Sequence, residues 1–190
     1  QPFAAFLEQD NNKSIYVIDP ITEQVWSTSL NSLPSSIFEQ LQSTNQQFYQ
    51  RDTMLYIIGG YGYSATANDH ITYPNLTAVS IDEVANAVIN GGSITSFFRQ
   101  INDARFAVTG GQMGVLNNLF YLVGGHLFNG RYNPMGPNNG PGFVQEYSEE
   151  IKRFSIDDDG VNIVISNYTE TIDATNLHRR DYNMAPQISP

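Results

Sequence analysis

Two stretches of this chain run a short aliphatic and aromatic segment straight into paired glycines: residues 54–60 (MLYIIGG) and 118–125 (NLFYLVGG), the two pairs lying 65 positions apart. Each run is too short for a buried helix and rich in the residues that suit a pleated surface, so each reads as a strand. Residues 47–50, followed by the polar turn Arg51-Asp52-Thr53, supply a preceding strand for the first. Residues 106–113, with a turn at 114–117, are expected to do the same for the second. The chain is thereby committed to antiparallel hairpins whose second strand ends in Gly-Gly.

A second mark recurs with the first. An apolar residue, any residue, then Ile-Asp stands at Tyr16 to Asp19, Val79 to Asp82 and Phe154 to Asp157, with aspartate intervals of 63 and 75 residues. Each is expected to close a strand: 14–19, 76–82 and 150–157. Partner strands are expected at 24–30, 94–100 and 161–168, the last across the tight turn Asp157-Asp158-Asp159-Gly160. Residues 1–9 are mildly apolar and read as a possible strand, and 37–41 as a short helical turn in a connector. Residues 61–75 and 126–144 read as irregular insertions, the second held open by PMGPNNGPG. Residues 83–90 carry helix formers over only two turns, so helix and strand extension both stand. A helix there packed on the sheet, like a parallel sheet anywhere, counts against the all-β, kelch-type fold set out below. Residues 177–188 are expected to open one more element.

The order strand, Gly-Gly strand, insertion, Ile-Asp strand, outer strand resembles the kelch repeat, a blade of a β-propeller. A kelch repeat runs to about 50 residues, and the excess here matches the two insertions. The resemblance implies an all-β fold of four-stranded antiparallel blades. They divide as a partial blade at 1–45, blades at 46–104 and 105–175, and the start of another at 176–190. It gives Gly59, Gly60, Gly124 and Gly125 an architectural role, because the inner strands converge where a neighbouring blade leaves no room for Cβ. Trp26 matches the outer-strand tryptophan of the family, which the later blades lack. The strings EEIKRFSI, SNYTETID and LHRRDYN are similar to exported kelch-like proteins of Bacteroidetes-type bacteria, implying a secreted, periplasmic or cell-surface location. With the first blade lacking its Gly-Gly strand and the last stopping before one, an incomplete propeller is expected. Its remaining blades would come from a longer chain or a second copy.

Composition narrows the function. Asp and Glu number 19 against 9 Lys and Arg, a formal net charge of −10 that repels a phosphate backbone. No cysteine is present, so neither a disulfide framework nor the Tyr-Cys crosslink of galactose oxidase-like kelch enzymes can form. Gly60, Gly62 and Ala65 match G-x-G-x-x-A, but no helical period follows them, so no dinucleotide site is expected. An EF-hand reading of 157–160 fails because Tyr168 stands where the closing carboxylate belongs. No metal or cofactor is expected. The resemblance puts ligand contacts in the segments just after Gly-Gly. These hold Tyr61, Tyr63, Asp69 and His70 in one, and His126, Arg131 and Tyr132 in the other. Aromatics with a few polar groups suit a glycan or protein partner. The rival reading is a sugar-acting enzyme, an epimerase or lyase, using Arg131, His126 and Glu146.

Overall fold

The computed structural model describes residues 5–140 and 142–185. It is an all-β arrangement of small antiparallel sheets with short helices in the connections. The first sheet has two strands, β1 (Ser14–Ile18) and β2 (Val25–Ser29), followed by α1 (Ser35–Leu41). The second pairs β3 (Gln47–Arg51), β4 (Met54–Ile58), β7 (Asn75–Ser80) and β8 (Phe98–Asn102) in that spatial order. The third repeats the pattern with β9 (Gln112–Leu116), β10 (Leu119–Val123), β13 (Glu150–Asp158) and β14 (Ile163–Ile172). In both, a separate hairpin is inserted between the second and third strands: β5 (Tyr61–Ser64) with β6 (Asp69–Thr72), and β11 (His126–Gly130) with β12 (Phe143–Tyr147).

The sheets stack face to face. Tyr56, Ile58, Leu76 and Ala78 of the second sheet share one core with Met113, Phe120, Leu122, Phe154 and Ile156 of the third. The ring of Tyr56 meets Phe120 edge-on at 5.4 Å. The opposite face of the second sheet (Ile57, Val79, Phe98) packs with Ile15, Val17 and the partly buried Trp26 of the first.

The glycine pairs mark where one repeat touches the next. All four have positive φ. A Cβ on Gly59 would lie 1.9 Å from the Val108 carbonyl oxygen, and one on Gly124 2.0 Å from the Tyr182 ring. The second glycine of each pair donates its N–H forward, Gly60 to Val108 O and Gly125 to Arg179 O, at 3.0 and 3.1 Å. The crowding expected from the sequence is therefore real: at Gly59 and Gly124 it comes from the following repeat, and at Gly60 and Gly125 from the segment that precedes their own sheet (Ser43 and Gln46; Val108, Thr109 and Gly111).

Several expectations need correction. The first strand of the third sheet is β9, and Phe106 sits in a buried 3-10 turn before it. Asn117 and Asn118 both adopt positive φ and make a two-residue turn of the kind that matches strand twist, so the strands pair up to Leu116↔Leu119. The two insertions are hairpins; only their tips are irregular, and the Pro/Gly-rich run is one such tip. Residues 81–89 form α2 (Ile81–Ile89), which packs on β1, β2 and β7. Ile81-Asp82 thus opens a helix where the repeat pattern would close a strand. Asp82 and Glu83 favour its N-terminus, and Val84 and Val88 are buried one turn apart. This packed helix is the observation expected to count against the kelch-type blade; it lies in the β7–β8 connection, and the sheet keeps its four strands. Residues 8–10 form a 3-10 turn in place of a strand, and 1–4 lie outside the described residues. The last element is α3 (Ala174–Leu177), followed by an irregular segment to 185; the remainder of 177–188 lies outside the described residues. Among the described residues, no helix is long and apolar enough to cross a membrane.

Candidate functional site

Thr44 and Thr109 each stand seventeen positions before the residue that follows Gly-Gly, and each forms a two-way backbone bridge with it: Thr44 with Tyr61, Thr109 with His126. A backbone staircase runs across the repeats, Gly110 N–H to Asn45 O at 3.1 Å and Asp181 N–H to Gly110 O at 2.6 Å. Corresponding segments of three successive repeats therefore lie side by side. They make the floor of a cleft of about 300 Å³, to which Thr44, Asn45, Thr109, Arg180 and Asp181 contribute.

The two inserted hairpins form the walls. The Thr72 hydroxyl donates to Phe128 O and accepts from Phe128 N–H, both at 2.8 Å, while Thr72 N–H donates to the Asn129 side chain. The Tyr61 hydroxyl donates to Gly130 O at 2.7 Å and accepts Tyr132 N–H at 2.9 Å, fixing the start of the 131–142 loop. Burial pushes its pKa up to about 12, so it stays a neutral strut. Phe128 stacks on Phe143 at 4.7 Å, and Tyr132 stacks beyond it. Phe6, Tyr61, Phe128 and Tyr132 give the cleft its aromatic lining.

His126 is the unusual wall residue. It is 3% exposed, its ring packs on Phe128 and Tyr147, and Nδ1 has no hydrogen-bond partner among the described residues. Burial lowers its pKa to about 4, helped by the Arg180 cation and opposed by Asp181. The imidazole is therefore neutral at ordinary pH. Because the folded pKa lies below the unfolded value of about 6.5, the unfolded chain binds the proton first on acidification. Stability is expected to rise with pH between about 4 and 6.5, by on the order of 3 kcal/mol, and to be flat in this component below that window. His126→Phe, which places an aromatic where the preceding repeat has Tyr61, is expected to remove that slope. Urea unfolding across this pH range checks it; an unchanged slope assigns the titration elsewhere.

Of the seven expected ligand residues, Tyr61, His126 and Tyr132 meet at the cleft. Tyr63 and His70 pair near the tip of the β5–β6 hairpin, with Asp69 beside the turn and the Tyr63 hydroxyl bonded to Asn68. His70 Nε2 lies 3.0 Å from Phe6 O. Arg131 does not line the cleft, and its Nε is buried without a partner. Glu146 pairs with Leu127 on β12, one position out of step with His126↔Tyr147, and so projects from the opposite face. The trio Arg131, His126 and Glu146 is not gathered. Phe128, Thr44, Asn45 and Thr109 were missed from the sequence, whereas Arg180 and Asp181 stand out in it as a charged pair for which pairing between blades is the alternative to a ligand role. Aligning the repeats on Gly-Gly and reading seventeen positions back finds Thr44 and Thr109. Among the described residues, no cluster of His, Asp or Glu is arranged to hold a metal.

Compared with known proteins, the chain matches no family model and none of the curated proteins.

Proposed function

We propose that this chain is a non-catalytic binding module made of kelch-type propeller blades, exported or surface-exposed, that presents the post-Gly-Gly segments to a glycan or protein partner. The carrying observation is the cleft: aromatic faces from two hairpins above a floor of hydroxyl, amide, guanidinium and carboxylate groups. That mixture suits a ring with polar edges better than a purely apolar ligand. Two sheets of the same strand order, each with a hairpin inserted at the same place, support the blade reading. The propeller would be completed by further blades. The enzyme reading retains only His126 of its three residues at the cleft.

A glycan array and a peptide library, screened with the intact chain, test the proposal. Tyr132→Ala and Arg180→Ala are expected to weaken the best binder about tenfold each, about 1.4 kcal/mol, with circular dichroism unchanged. Full binding by both variants would remove the cleft from the interaction. Turnover of a bound sugar, lost in His126→Phe with the fold intact, would replace the binding reading with the enzymatic one.

A further inference from the structure

The two ends of the sheet stack expose the two halves of an interface that the stack already contains once inside. Aligning the glycine pairs sets Tyr121 and Val123 of the third sheet over Tyr56 and Ile58 of the second. The bonds Gly59 N–H to Asn75 O and Gly124 N–H to Glu150 O set Ile151 over Leu76. In the second sheet these three positions are fully buried against the third. In the third sheet they are only partly buried, and with Leu116 and Met184 they line an open groove.

The other end carries the other half. Counting back from Asp19 and Asp157 sets Tyr16 and Ile18 over Phe154 and Ile156, and the pairs Ile18↔Val25 and Ile156↔Ile165 correspond across the strands. Phe154 and Ile156 are buried against the second sheet. Tyr16, Ile18 and Val25 are 58, 63 and 59% exposed, while their neighbours Ile15 and Val17 face the core. Apolar faces of this kind on a sheet normally mark an interaction site.

Resting on the reading of the sheets as propeller blades, we propose that a second copy of this chain covers these faces. The outer face of β1 and β2 in one copy would pack on the outer face of β9, β10 and β13 in the next. The contact is heterologous, two different surfaces meeting head to tail, so it closes a ring or continues. A second copy is the occupant because the complementary half of each face lies on this same chain, and the internal stack shows how such halves pack. With a net charge of −10 the copies repel, so association is expected to strengthen as salt rises.

Sedimentation equilibrium of the full chain at about 100 μM, in about 0.15 and 1 M salt, tests the idea. The expected result is a mass of two or more chains, larger at high salt. Ile18→Glu and Val123→Glu each spoil one half and should each sediment as monomers. Mixed in equal amounts they retain one good face each, and should form a dimer and nothing larger. Tyr16→Lys serves as a second variant on the first face, with melting curves confirming that each monomer is folded. A wild-type monomer under both conditions overturns the proposal, as does a mixture that fails to pair, and so does dimerisation of either variant alone, which would mean that like faces meet. Ligand binding at the cleft is scored separately, so a monomer that still binds through Tyr132 defeats this inference and leaves the binding reading standing.

Discussion

Gly59→Ala is expected to lower stability by about 4 kcal/mol or more, or to abolish folding, while Gly91→Ala costs only about 1. Both glycines have nearly the same backbone conformation, φ +64° and +68°. A left-handed conformation costs an alanine roughly 1–2 kcal/mol wherever it occurs. The difference is in the surroundings. Nothing lies within 4 Å of a Cβ at Gly91, which closes α2 at the surface. At Gly59 the Cβ would overlap a backbone carbonyl, and that carbonyl already accepts the Gly60 N–H across the junction between repeats. Relief requires sliding the third sheet off the second and disturbing the core that holds Tyr56 and Phe120. Urea unfolding of the two variants side by side is the measurement. Equal losses would mean the junction is soft and the glycine pair has only a conformational role.

The same contrast explains what the sequence could and could not disclose. Gly-Gly after an aromatic strand announced a close approach because only glycine tolerates one, and the structure supplies the approaching atom. Strands with dense β-branched or aromatic residues, such as β4, β10 and β13, were legible for the same local reason. Where two local signals competed, the repeat pattern misled. Ile81-Asp82 copies the strand-closing letters of the other repeats, yet the helix-compatible run behind it, with valines one turn apart, takes over (α2). Gly114 looked like a turn residue and lies in a strand, because Asn117-Asn118 makes the better turn. Tyr61, His126 and Tyr132 were found since they adjoin the glycines. Thr44 and Thr109 were not, because they are brought to the cleft only by backbone hydrogen bonds to segments far along the chain.

Gln40 was given no role in the sequence reading, and it is where the second large effect is expected. It sits on α1, completely buried. Its Nε2 donates to Gly59 O at 3.2 Å and Asn75 O at 3.1 Å, the backbone on either side of the inserted hairpin. Its Oε1 accepts from the Thr77 hydroxyl at 2.6 Å and from Gln100 Nε2 at 3.0 Å. One amide thus joins α1 to β7, β8 and the end of β4. Gln40→Ala deserts several buried polar groups at about 1–3 kcal/mol each, so a loss of about 4 kcal/mol is expected. Gln40→Glu is more telling, because the shape is kept while both donors become acceptors facing two carbonyls. An ionised carboxylate cannot remain there, and burial pushes its pKa up. A folded pKa above the unfolded one gives stability that is present at low pH and lost as pH rises through the folded value. Because His126 gives wild type and variant the same upward slope, the loss shows as a gap: relative to wild type, the variant should lose stability between about pH 4.5 and 7. Unfolding curves at the two pH values decide it, and a Gln40→Glu chain as stable as wild type at pH 7 would show that the amide is not holding the strands.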